Sequence, residues 1–163
     1  MTEISCNYND IKSLQGVEHF TALITLYCRN NQLTELDLSA NTTLENLTCD
    51  NNQLTALDLS ANSALRVLQC EDNQLGGLDL SANMALKILH CENNQLTTLY
   101  ISSSKLCVLN CENNQLTSLD ISDCPDLVDA YLNGERTENA GCVSYILNYK
   151  KMYVDTTVTI IAS

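Results

Sequence analysis

The chain has 163 residues, 45% hydrophobic and 5% aromatic, with twenty Asp and Glu against eight Lys and Arg, a formal charge of −12. Such a length fits one domain with a real core, and such a charge repels phosphate backbones and anionic headgroups, which excludes nucleic acid and membrane surfaces as partners. No apolar run approaches the roughly 20 residues of a bilayer span, so direct membrane insertion is not expected; residues 1–20 also lack the basic start and hydrophobic run of a signal peptide, which an exported form would have lost.

In chain order, Cys6 and Asn9, followed by Ile11 and Leu14, form a divergent first coil over residues 1–22, joined to the next by a connection one residue longer. From Leu23 the template L-x-x-L-x-C-x-x-N-x-L is filled five times at spacings of 21, 21, 21 and 20 residues. Its copies are Leu23, Leu26, Cys28, Asn31, Leu33; Leu44, Leu47, Cys49, Asn52, Leu54; Leu65, Leu68, Cys70, Asn73, Leu75; Leu86, Leu89, Cys91, Asn94, Leu96; and Leu106, Leu109, Cys111, Asn114, Leu116. The second half of a copy echoes the first, as in Leu33, Leu36, Leu38 and Asn41 or Leu54, Leu57, Leu59 and Asn62. Alternating apolar residues and turn formers leave no room for a full helix, which predicts strands on one side and extended or short-strand segments on the other. One coil cannot bury its own leucines; stacking coils at about 4.8 Å builds a continuous core. Beyond residue 126, Leu127, Ala130 and Leu132 keep the leucine spacing while Glu135 falls where Asn belongs, so 127–163 reads as a last partial coil and cap. Asn133-Gly134 is a hairpin signal, and Val143 to Leu147, Met152 to Val154 and Val158 to Ile161 predict a small β cap.

Together these residues resemble the bacterial leucine-rich-repeat surface proteins, and cysteine in the third leucine position resembles the cysteine-ladder branch of the internalins, over residues 20–127. The segment from Leu127 to Ser163 is similar to the terminal cap of related surface proteins of gut-type bacteria. The resemblance implies an α/β-class, right-handed leucine-rich-repeat solenoid of horseshoe type, mostly β with little helix. It has a parallel sheet on one face and forms one domain over 1–163, with regular repeats at 23–126. It also implies a secreted or cell-surface recognition module for a protein or glycan. No catalytic residue comes with it.

Cys6, Cys28, Cys49, Cys70, Cys91 and Cys111 alternate with outward residues and point inward as one ladder. In-register strands hold their Cβ atoms about 4.8 Å apart, beyond disulfide reach, and a line of thiols does not surround a metal. They read as small buried hydrophobes. Cys107, Cys124 and Cys142 lie off this ladder; spacing does not pair them, and nine cysteines leave at least one unpaired. Free thiols suit a reducing cytoplasm or an anaerobic surface, so compartment stays open. Asn31, Asn52, Asn73, Asn94 and Asn114 occupy the turn after each strand, where an amide satisfies backbone groups.

Three outward rows carry the variation. Thr25, Asn46, Val67, Ile88 and Val108 form the first; Tyr27, Thr48, Gln69, His90, Asn110 and Tyr131 the second; Arg29, Asp50, Glu71, Glu92 and Glu112 the third. The expected binding residues are Tyr27, Thr48, Asp50, Val67, Gln69, Glu71, Ile88, His90, Glu92, Val108, Asn110 and Glu112. The first row turns apolar while the third turns acidic, which suits a basic partner or a bound cation; alternatively, Val and Ile merely favour strands and the acids solubilise. Opposite, Asp37, Asp58, Asp79 and Asp120 each precede a serine by two residues, a turn arrangement. His90 and Cys91 are adjacent in one strand and face opposite ways, and there is no phosphate loop, nucleophile elbow or His pair. No catalysis, cofactor or metal is therefore expected. A structural spacer and a cytoplasmic interaction module are the alternative functions.

Overall fold

The computed structural model describes residues 1–139, 142–147 and 149–162. Along the chain run β1 (Glu3–Ser5), β2 (Thr25–Tyr27), β3 (Asn46–Thr48), β4 (Val67–Gln69), β5 (Gly77–Leu80), β6 (Ile88–His90), β7 (Thr98–Ile101), β8 (Val108–Asn110), β9 (Ser118–Asp120), α1 (Pro125–Asn133), β10 (Glu135–Asn139), β11 (Cys142–Leu147), β12 (Lys150–Asp155) and β13 (Thr159–Ile161). One sheet takes the first strand of every coil, in the order β1-β2-β3-β4-β6-β8-β12-β11-β10. From β1 to β12 it is parallel, and Leu26, Leu47, Leu68, Leu89 and Leu109 pair in register. Register is strict because a slip of one residue would turn every leucine outward.

The strands are short because each runs at once into a turn containing a left-handed residue. Asn30, Asn51, Asp72, Asn93 and Asn113 have φ of 52 to 55°, and Tyr8 stands at 59°. Asn and Asp tolerate this region because their short side chains bond locally; Tyr8 does not share that advantage. The other side of each coil is the extended segment ending in the second asparagine. Here β5 pairs with β7 and β9 with β13, whereas the earlier coils have no assigned strand. Leucines of both sides meet in one core, with Leu23, Leu26, Leu33, Leu38, Leu44, Leu47, Leu54, Leu59, Leu65 and Leu68 fully buried. Burying each is worth roughly 1.5 to 3 kcal/mol.

The C-terminal region departs from the expected partial coil. Pro125, well placed to start a helix, opens α1, so Leu127 and Ala130 are buried on a helix and Leu132 is 64% exposed. The spacing of three between Leu127 and Ala130 fits both the coil template and a helical turn, which is why sequence did not separate them. Asn133-Gly134 is accordingly no hairpin: Asn133 ends α1, and the Gly134 amide donates to the Ala130 carbonyl at 2.9 Å. A Cβ at Gly134 would collide with that carbonyl oxygen and with Ile146. The antiparallel β10, β11 and β12 make the β cap, with β12 in the slot beside β8 through Met152↔Leu109. Since β13 pairs with β9, the segment from Lys150 to Ile161 extends both sides of the stack.

Candidate recognition surface on the strand face

Two inward ladders hold the face in place. Cys28, Cys49, Cys70, Cys91 and Cys111 are at most 1% exposed, with Cys6 half-buried at the end of the row. Their thiols are free, and those of Cys70, Cys91 and Cys111 donate to the next strand's carbonyls, His90, Asn110 and Tyr153, at 3.4 to 3.5 Å. Burial pushes these thiols well above their ordinary pKa. They are protonated packing groups. Beside them each asparagine fastens two coils. Asn73 Nδ2 donates to Cys49, Cys70 and Glu71 carbonyls, and its Oδ1 accepts from the Leu54 amide at 3.0 Å; Asn31, Asn52, Asn94 and Asn114 repeat the arrangement.

A second ladder, not separated by the sequence reading, runs along the far side. Asn41, Asn62 and Asn83 are fully buried; Asn62 Nδ2 donates to the Leu38 and Asn41 carbonyls and Asn83 Nδ2 to those of Leu59 and Asn62. Ser103 takes the next place, its hydroxyl donating to Leu86 and Met84 carbonyls, and buried Cys124 the one after. The sign was the recurring second asparagine. Cys124 is a free thiol, as is half-buried Cys107, whereas the Cys142 side chain lies outside the described residues.

The outward residues stand in register one strand apart, which packs them against one another. Thr48 is 7% and Asp50 1% exposed. Val67, Ile88 and Val108 are half-buried and adjacent, as are Gln69, His90 and Asn110. Tyr27 lies at the N-terminal end of the second row, Thr48 donates to Gln69 Oε1 at 3.1 Å, and the row ends in Tyr153, not Tyr131, which α1 removes from the sheet. Tyr153 and Asp155 were missed: their alternation with buried Met152 and Val154 marks a strand, yet only pairing with β8 brings that strand here.

The third row is electrostatically uneven. At one end Arg29 Nε stands 3.2 Å from Asp50 Oδ2, with the guanidinium 5.7 Å from the Tyr8 ring centroid. Farther along, burial, with Asp50 and Glu92 nearby, pushes the Glu71 carboxyl up to about 7. His90 Nδ1 lies 3.7 Å from Glu92 Oε2, and that carboxylate raises the imidazole pKa against the opposing effect of burial. Asp155, beyond Glu112, accepts from the Asn113 and Asn114 amides at 2.8 and 3.2 Å and so finishes the turn stack. Among the described residues, no three of His, Cys, Asp and Glu gather as metal ligands would.

The opposite face is built of turns. Asp37, Asp58, Asp79 and Asp120 each accept from the serine amide two residues on at 2.9 Å, and bonds from these serines hold the carboxyls below their usual range. An open cleft of about 890 Å³, lined by Glu35, Asp37, Asp58, Ser13 and Ala56 among others, runs over this side. His90 is half-buried on the outer face while Cys91 is buried beneath it, so they cannot act together. No helix among the described residues is long and apolar enough to cross a membrane.

In-register parallel strands, a leucine core and asparagine-stapled turns define a leucine-rich-repeat solenoid, mostly β with one α-helix and one short 3-10 helix, Val17–His19, among the described residues. It is similar to the functional domain of InlJ from Listeria monocytogenes, which includes a cysteine ladder. The two share 30% identity and a TM-score of 0.64 over 78% of this chain and 33% of that one. The chain thus spans about a third of the InlJ domain's length. Internalin C2 of the same organism matches at TM-score 0.61 and 20% identity over 77% of this chain and 68% of its own, and the APL1 leucine-rich repeat domain at 0.58 and 19%, over 76% and 43%. These two share the fold. Sequence comparison with known protein families and with curated proteins gives no match.

Proposed function

We propose that this chain is a non-catalytic recognition module of a secreted or cell-surface protein, binding a partner protein through the outward residues of its parallel-strand face. One observation carries the reading: the inward Leu, Cys and Asn positions recur from coil to coil while the outward positions change, and the change is organised. Val67, Ile88 and Val108 form an apolar row in register across β4, β6 and β8, and Glu71 and Glu92 line up just past the ends of β4 and β6. A stack maintained only for length needs no such alignment. Solenoids use extended faces of this kind for binding, and the likeness to the InlJ functional domain supports a surface location.

The test is capture from cell and matrix extracts, with a glycan panel alongside, by the wild type and by a variant carrying Gln69→Ala, Glu71→Arg, His90→Ala and Glu92→Arg that keeps its circular dichroism spectrum. Specific protein capture lost in the variant supports the reading. Capture of glycan alone reassigns the ligand class, and no specific ligand for either form favours a structural spacer.

A further inference from the structure

The strand face is chemically lopsided. Its apolar row and acidic row flank the middle row of Gln69, His90 and Asn110, and neighbouring acids stand one strand spacing apart, a separation at which like charges repel. The Oε2 atoms of Glu71 and Glu92 are buried and accept no hydrogen bond, and among the described residues no Lys or Arg pairs with either. At the N-terminal end the same row shows what would relieve this. Arg29 lies against Asp50, and that carboxylate is 1% exposed, buried under its own cation. Farther along, among the described residues, Glu92 has only the titratable His90 imidazole, 3.7 Å away, and no Lys or Arg covers Glu71.

We propose that the strand face receives a lysine- or arginine-bearing segment of a partner protein, with apolar side chains on Val67, Ile88 and Val108 and a cation between Glu71 and Glu92. This rests on the strand-face reading above and adds the chemistry of the partner. A chain of charge −12 favours a cationic partner over an acidic one. Carboxylates arranged on a line suit a guanidinium or ammonium that bridges two neighbours, whereas a hard metal ion needs ligands converging on one point. The apolar row on the same face favours a peptide over a free polyamine, because a peptide carries apolar side chains on the same chain as its cations.

Ionisation sets a direction for pH. The groups facing the site are Arg29, Asp50, Glu71, His90, Glu92 and Glu112 along the row, with Asp155 after β12. Glu71 acquires its charge only around neutrality, and His90, when protonated, competes with the incoming cation for Glu92. Both effects make the face more negative as pH rises, so affinity increases from pH 6 to pH 8.

The test is fluorescence anisotropy of a labelled decapeptide of alternating lysine and valine. It is titrated with wild type, with Glu71→Gln/Glu92→Gln, and with Asp58→Asn/Asp79→Asn, which removes the same charge from the opposite face; all three are first checked by circular dichroism. The expected result is roughly tenfold weaker binding for the strand-face variant, less than about twofold for the opposite-face variant, and weakening of wild type from pH 8 to pH 6. Equal weakening in both variants would mean general charge attraction and overturns the proposal. So does preference for a glutamate-valine peptide or for a neutral glycan. If the lysine-valine peptide fails to bind while the strand-face variant still loses a captured partner, the cationic partner falls and the strand-face function stands; if capture fails as well, both fall.

Discussion

Truncating Asn73 to alanine should be far more damaging than truncating Asn62, although both are buried ladder asparagines. Asn73 Nδ2 donates to the Cys49, Cys70 and Glu71 carbonyls at 3.1 to 3.2 Å, and its Oδ1 accepts from Leu54 N at 3.0 Å. Alanine there strands a buried Leu54 amide, at roughly 1 to 3 kcal/mol, and deprives two coils of their shared staple at about 1 kcal/mol for each of the two Nδ2 hydrogens, which the three carbonyls share. The expected loss is about 3 to 5 kcal/mol, a large part of the roughly 5 to 15 kcal/mol typical of a domain. Asn62 donates to the Leu38 and Asn41 carbonyls at 3.1 and 2.9 Å, but its buried Oδ1 accepts nothing, so truncation also removes an unsatisfied atom. The expected loss there is about 1 to 2 kcal/mol. Urea denaturation followed by circular dichroism, analysed at common slope, measures both. If Asn73→Ala costs no more than Asn62→Ala, hydrogen-bond accounting does not explain the ladder and the reasoning is wrong.

Glu71 has a folded-state pKa raised to about 7, so the native form holds its proton more tightly than the unfolded chain and loses stability as pH rises from its ordinary value to about 7. Glu71→Gln should therefore stabilise by about 1 to 2 kcal/mol at pH 8, after discounting for partial exposure, and by almost nothing at pH 4; equal gains at the two pH values in chemical denaturation would count against this. The buried thiols of Cys28, Cys49, Cys70, Cys91, Cys111 and Cys124 should resist a thiol reagent at pH 8 in the native protein and react promptly in denaturant, whereas half-buried Cys6 and Cys107 react first. Mass spectrometry of labelled peptides reads this, and rapid native labelling of Cys70 would refute the packed ladder. Asp155→Ala removes the acceptor of the Asn113 and Asn114 amides, so these two amides should exchange hydrogen faster and stability should fall by about 1 to 2 kcal/mol; unchanged exchange would show that the cap does not depend on this carboxylate.

Leu26, Cys28 and Asn31 and their repeats specify the solenoid by themselves, because a strict repeat of inward residues and turn formers has one way to bury them all. Rows such as Val67 with Ile88 or Glu71 with Glu92 were legible for the same reason: once register is strict, equal template positions must be neighbours. What the repeat could not reveal lay wherever periodicity ended or side chains chose partners. Leu127 and Ala130 satisfy coil and helix alike, and packing under the cap, with Pro125 at the helix start, decided for the helix. Tyr153 and Asp155 reach the sheet edge through contacts distant in sequence, so no local pattern could place them beside Asn110 and the turn at Asn113. Likewise, the row read from the sequence sets Arg29 next to Asp50, but the 3.2 Å contact between them and the 3.7 Å approach of His90 to Glu92 depend on side-chain conformation. Sequence determined the frame through repeated local geometry; tertiary structure decided which charges were neutralised, because that depends on what packs across the gap between strands.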